Sequence, residues 1–325
     1  MHKHLINVAV MCPNPLPQPP PTAPALGPSR VRRPAVSYEL FPARGDQSFD
    51  KLRHTVAELE ATAPDYVSVT CASGRTNLNR MIELVDHLLW RTRLRPLVHL
   101  TCVGSTPQAL EQVVRDLLGR GVRGILALRG DTPSGYSPDE DEFPFARYLV
   151  ELIRRVEREE TAALAAGRLA VGVAAYAQKH PESPSLRHDV EVLLSKERSG
   201  ADFAITQVFF NPLEYTNLVS RARRAGVTIP IIPGFVPMTS VRRLTRLAEL
   251  SGVHCPDQHL HALEVATSDA QRRRIGVRAT VELARAALDA GAPGIHLFTF
   301  NEHADALDVL DQLDLSRYRA PALAV

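Results

Sequence analysis

A (β/α)8 barrel, the TIM-type α/β fold in a single domain, is the architecture this sequence predicts, on three observations. Eight short runs are continuously apolar rather than alternating, which is how strands read when both faces are covered. Helix-period patterns lie between them. Several of those patterns close on a glycine just before the next strand, at Gly121, Gly200, Gly226 and Gly291, where a left-handed residue ends a helix. The 325 residues leave room for such a barrel, which needs about 250. A doubly wound open sheet is the alternative arrangement of the same elements.

In order, the strands are expected at Ala35–Phe41, Asp65–Cys71, Pro96–Cys102, Gly124–Leu128, Ala170–Tyr176, Phe203–Phe209, Ile229–Pro233 and Gly294–Phe300. Among the helices, Ser48–Thr62, Asn77–Thr92, Gln108–Gly119, Ser185–Ser199 and Pro212–Ala225 carry the clearest period. The stretch Val253 to Thr267 is too long for a plain connection and reads as a helical insertion. Gly119-Arg120-Gly121-Val122-Arg123-Gly124 matches G-x-G-x-x-G, but a dinucleotide fingerprint follows a strand and opens a helix. This one closes a helix and leads into a strand, so it is a turn.

Pro13 to Pro34 is dense in proline and has no hydrophobic period, so residues 1–34 are expected to form a disordered leader. The barrel is placed at 35–315 and a C-terminal tail at 316–325. The short apolar run Leu5 to Met11 is not followed by a small-residue cleavage site, which argues against a signal peptide. No stretch approaches the roughly 20 apolar residues of a membrane span. A net charge of +2 without blocks of like charge gives no electrostatic case for nucleic acid. Four scattered cysteines without paired spacing fit a reducing cytoplasm. His254-Cys255 with His259 and His261 fits no common zinc spacing, and no metal site is expected. The assembly is expected to be a homo-oligomer.

Ligands of α/β barrels bind beyond the carboxyl ends of the strands. Polar residues stand there in turn: Glu39, Thr70, His99 with Thr101, Arg129 and Asp131, Tyr176 leading to His180, Gln207, and Asn301. A carboxylate pointing into a barrel is costly unless paired or used, so Glu39 is a candidate proton donor with a raised pKa. The plain alternative is an interior Arg or Lys partner for Glu39; for His99 it is a satisfied core histidine. Asp189 and Lys196 lie seven apart and share a helix face, which without other context is as readily a solvated surface.

Several of these segments together resemble the methylenetetrahydrofolate reductase family, in its bacterial form with a catalytic barrel alone. They are Tyr38-Glu39-Leu40-Phe41-Pro42, Asp65 to Thr70, His99-Leu100-Thr101-Cys102, Ala127-Leu128-Arg129-Gly130-Asp131, Tyr176 with His180-Pro181-Glu182, Ala204-Ile205-Thr206-Gln207, and His296 to Asn301. The resemblance implies an FAD enzyme that is reduced by NADH or NADPH and reduces 5,10-methylenetetrahydrofolate. It implies that Glu39 is the general acid, with Asp131 beside pterin and flavin and Gln207 on the pterin. Thr70, His99, Arg129, Gly130, Asp131, Phe145, Tyr176, His180, Asp189 and Lys196 match positions that hold FAD.

Departures from the family pattern cluster at the outer substrate wall. Val241 stands at the substrate-facing position where an aromatic is usual, Glu302 where a basic residue is usual, Cys71 for tyrosine, and Ala177-Gln178 for Pro-Glu. A flavin-free or differently specific enzyme of the same fold, or a non-catalytic flavin- or folate-binding homologue, therefore stays open at the level of sequence.

Overall fold

Each expected strand forms, and all pair in parallel. The computed structural model describes residues 33–43, 46–71, 75–131, 142–162, 164, 167–253 and 255–318. Most of the expected leader, and 319–325 of the expected tail, lie outside the described residues. Arg33 already belongs to the folded body, donating to Asp65 and to the Ala63 carbonyl at 3.2 and 2.9 Å.

The strands are β1 Ala35–Leu40, β2 Tyr66–Val69, β3 Pro96–Thr101, β4 Gly124–Leu128, β5 Ala170–Ala175, β6 Phe203–Thr206, β7 Ile231–Ile232, β8 Gly234–Phe235 and β9 Gly294–Phe298. The helices are α1 Asp46–Ala61, α2 Arg75–Arg91, α3 Pro107–Arg120, α4 Ala146–Glu159, α5 Leu186–Arg198, α6 Pro212–Arg224, α7 Val241–Ser251, α8 Asp257–Glu264, α9 Asp269–Asp289 and α10 His303–Gln312. The sheet runs β7-β6-β5-β4-β3-β2-β1-β9-β8. The GxGxxG segment ends α3, with Gly121 at φ 102 capping it, and delivers β4.

One strand departs from expectation. The seventh barrel strand is broken at Pro233, whose missing N–H cannot join a ladder. β7 pairs with β6 and β8 with β9, so the two halves together close the barrel. The Pro233 carbonyl still accepts from His296 N at 3.0 Å. Closure requires glycine next: a Cβ on Gly234 would lie 2.4 Å from the Thr206 carbonyl oxygen and 2.6 Å from the Phe298 ring. The Val253–Thr267 insertion contains α8, as its pattern predicts. There His259 Nε2 contacts the Met238 carbonyl at 2.9 Å and Cys255 is buried in the core, while His254 lies outside the described residues.

Two cores result. The larger lies between sheet and helices. The smaller plugs the barrel and consists of Tyr66, Leu97, Leu126, Ala170, Phe203, Ile205 and Ile232. The polar residues Ser37, Glu39, Ser68, His99 and His296 are also buried on these strands. The apolar plug fixes the strand ends, and so the polar side chains they carry, against a rigid floor.

Candidate active site

A cavity of about 940 Å³ opens at the carboxyl ends of β3 to β6. Arg129, Gly130, Asp131, Phe145, Tyr176, His180, Asp189, Lys196 and Gln207 all line it. Glu39, Thr70, His99 and Val241 do not line it. Gly130 sits at φ +89, and a Cβ there would come within 3.0 Å of Thr101 Cβ. Only glycine lets the β4 loop approach β3 so closely.

Helix α5 supplies one wall. Ser185 caps it by accepting from His188 N, and Asp189 stands in the first turn, where a negative charge suits the helix dipole. The Asp189 carboxylate accepts from His180 N at 3.1 Å. Two turns on, Lys196 reaches the cavity and donates to the Ala174 carbonyl at 2.9 Å. Burial brings its ammonium down to about 8; Asp189 opposes that and Arg129 adds to it. The helix face expected to be either solvated or functional is a cavity wall.

His180 is fixed by three contacts. Its backbone is held by Asp189, its ring meets Tyr176 edge-on at 4.5 Å, and its Nδ1 accepts from Glu182 N at 3.1 Å. Burial lowers its pKa. A neutral ring with an accepting Nδ1 carries its proton on Nε2 and has that donor to offer. Glu182, the last residue of the His180-Pro181-Glu182 segment, forks onto Arg129 with contacts of 2.7 and 2.8 Å. Gln207 folds its amide oxygen onto Val208 N at 2.9 Å.

The acid lies toward the other side of the barrel. Glu39 and His99 are each 8% exposed, and His99 Nε2 is 3.7 Å from Glu39 Oε2. No Arg or Lys ion pair reaches Glu39 among the described residues. Burial alone pushes its carboxyl from the ordinary range to about 8, and burial pulls His99 down to about 4. Burial thus favours the uncharged form of both groups. Thr70 follows β2 and donates its N–H to the Leu40 carbonyl at 3.0 Å, next to cavity-lining Cys71.

The strand ends beside Glu39 are tied together. Thr299 Oγ1 donates to the Glu39 carbonyl at 2.6 Å. Phe300 and Asn301 both adopt left-handed backbone, φ 54 and 60. That conformation is costly for a bulky aromatic and persists where surroundings enforce it. Phe300 stacks on Phe41 at 5.9 Å, and the Arg243 guanidinium covers its ring at 4.9 Å. Arg243 also binds Glu302 at 2.7 Å. Val241 instead lines a separate cleft of about 420 Å³ with Thr239, Arg272, Arg273 and Asp305. Thr299 and Phe300 fall within the matched segment His296 to Asn301, whereas Arg243 carries no distinguishing sequence signal although it stands two residues from Val241.

The profile of the methylenetetrahydrofolate reductase family matches residues 29–314. The 5,10-methylenetetrahydrofolate reductase of Escherichia coli is 30% identical over 267 residues, covering 82% of this chain and 86% of that one. A probable methylenetetrahydrofolate reductase (NADPH) of Caenorhabditis elegans is 30% identical over 286 residues, 86% of this chain and 42% of that longer one. Among solved structures, an uncharacterized Clostridium thermocellum protein that binds two copies of 5-methyl-5,6,7,8-tetrahydrofolic acid superimposes with a TM-score of 0.57. It shares 14% identity, covers 86% of this chain and 96% of its own, and speaks to the fold alone. On the extent of the family match, this chain belongs to the methylenetetrahydrofolate reductase family.

Proposed function

We propose that this protein is an FAD-dependent reductase that converts 5,10-methylenetetrahydrofolate to 5-methyltetrahydrofolate with NADH or NADPH as donor. The observation that carries the reading is Glu39: a buried carboxyl with a pKa raised by burial and without a cationic partner among the described residues, on the first strand of a barrel that also bears a cavity suited to a flavin dinucleotide. The cavity fits that group chemically. Lys196 is a cation whose hydrogen-bond partner among the described residues is a carbonyl, which suits it to a phosphate; Asp189 suits a ribose hydroxyl, and Tyr176 and Phe145 offer flat rings. When bound, the flavin supplies hydride transfer from the nicotinamide to the one-carbon bridge.

The chain's own part is proton management and orientation. Glu39, protonated at neutral pH, would give its O–H proton to a bridge nitrogen, so that the methylene carbon becomes an acceptor of hydride. Asp131 and Gln207 would orient the pterin at the cavity rim, and Gly130 keeps the backbone close there. Because nicotinamide and folate would need the same face of the cavity, turnover would be ping-pong.

A second reading draws on the outer wall. Val241 lies away from the cavity, and Phe41, Phe300, Arg243 and Glu302 form the rim near Glu39. That favours a same-fold reductase acting on a pterin-like substrate with a different tail. The two readings part in one experiment. The purified protein is reduced anaerobically with NADH or NADPH, 5,10-methylenetetrahydrofolate is added, and the visible spectrum is followed. Reoxidation with methyltetrahydrofolate formed supports the first reading; a flavin that stays reduced supports the second. A protein that binds no flavin sinks both as written.

A further inference from the structure

An acid that gives up its proton inside a barrel leaves a carboxylate in a dry place, which is costly unless a donor receives it. The side chain nearest that task is His99. Its Nε2 lies 3.7 Å from Glu39 Oε2, just beyond a hydrogen bond. That nitrogen is shut off from solvent and has no hydrogen-bond partner among the described residues. Buried polar groups are nearly always paired, so an unpaired one aimed at a carboxyl asks for an explanation. The buried hydroxyls of Ser68 and Tyr66 on β2 likewise have no hydrogen-bond partner among the described residues. Ser68 on β2 is the register partner of Glu39 and carries a neutral hydroxyl. His296 on β9 lies close enough to influence its own titration through His99, but its Nδ1 is taken by Ser37 at 2.9 Å. Tyr66 on β2 stacks on His296, and burial raises its hydroxyl pKa, so it stays neutral. Arg129 and Asp131 stand outside, in the loop after β4, and His99 does not line the cavity with them.

We propose that His99 is the positioning residue for Glu39, carrying its ring proton on Nε2 and donating it to the carboxylate formed when Glu39 protonates the substrate. The recipient of that proton rests on the reductase reading; the pairing of the two side chains does not. On transfer the Glu39 O–H bond breaks, the proton joins the substrate nitrogen, and the electron pair remains on the carboxylate. His99 keeps its proton and turns its N–H to the new anion, closing a gap of less than 1 Å to ordinary hydrogen-bond distance. A solvent proton then restores Glu39.

An infrared titration tests this without any substrate. The protonated carboxyl band of Glu39 is the one lost in Glu39→Gln, and its midpoint in the wild type is expected near 8. Removing the donor in His99→Leu should move that midpoint up by roughly one pH unit. His99→Gln, whose amide N–H reaches the Nε2 position, should hold it near the wild-type value. An unmoved midpoint in His99→Leu, or an equal shift in both variants, overturns the proposal. In turnover, His99→Leu should slow the folate half-reaction about tenfold or more, with recovery in His99→Gln. Loss of flavin binding with an unmoved midpoint would make His99 a cofactor ligand instead. A Leu-specific shift in a protein with no folate turnover would sink the reductase reading and leave the pair standing.

Discussion

Asn301 grips Phe41 by both backbone groups: Phe41 N donates to Asn301 Oδ1 at 2.8 Å, and Asn301 Nδ2 donates to the Phe41 carbonyl at 2.8 Å. The side chain thus stands in for a neighbouring strand beyond the point where β1 and β9 stop pairing. Thr55 holds Asn301 in turn through its carbonyl, at 3.1 Å. With Thr299 on the Glu39 carbonyl, the clasp fixes the backbone on both sides of the acid.

Asn301→Ala removes both contacts and is expected to lower stability by about 1–3 kcal/mol, read from the denaturant midpoint. It should also slow the folate half-reaction, because the Glu39 carboxyl loses its fixed direction, while flavin affinity stays the same. Loss of flavin along with activity would mean the whole mouth collapses, and the clasp would then be a general brace.

Glu39→Gln should leave reduction by the nicotinamide largely intact and cripple folate reduction, as separate stopped-flow half-reactions would resolve. Equal loss in both would refute the acid role. The wild-type folate step should decline as pH rises through about 8, where Glu39 ionises. Stability follows the same group. Its folded pKa is raised from 4.5 to about 8, so the wild type should lose stability as pH climbs across that window, and Glu39→Gln should lack that slope.

Lys196 predicts an opposite pair of trends. Flavin affinity should hold below about 8 and weaken above it as the ammonium deprotonates, whereas Lys196→Met should bind weakly at every pH. Because the folded pKa is depressed from 10.5, flavin-stripped protein should gain stability between about 8 and 10.5 from this group. Fluorescence titration with FAD at several pH values checks the first trend and thermal melts check the second.

The exposed Arg243–Glu302 pair should add less than about 1 kcal/mol to stability. Its expected role is electrostatic: with Arg243→Ala, Glu302 is uncompensated and should raise KM for an anionic folate several-fold at near-constant kcat. Adding Glu302→Ala should restore KM. A cycle without coupling would show that this rim does not face the substrate.

The barrel was legible because its signals are local. Continuous apolar runs, helix-ending glycines and polar strand ends all survive without knowledge of neighbours, and the cavity gathers Arg129, Asp131, Tyr176, His180, Asp189, Lys196 and Gln207 from three successive βα units. What could not be read depends on cross-chain pairing. The partner of Glu39 lies sixty residues away on β3, and nothing near either residue announces it. Pro233 looked like the end of a strand, yet the chain resumes pairing with the opposite neighbour once past it. Arg243 became visible only through the ring beneath it, and the left-handed Phe300 breaks the rule that would have flagged a glycine.

The Arg129–Glu182 fork has a consequence for selectivity. A guanidinium already satisfied by a carboxylate gives no bonus to an arbitrary anion, which must outcompete a tethered rival of the same charge. Only a guest that rewards the exchange with additional contacts elsewhere, such as those offered by Lys196 and His180, comes out ahead. Glu182 is therefore an incumbent, and chloride, free phosphate and stray carboxylates should meet a threshold at Arg129 that a large dinucleotide clears.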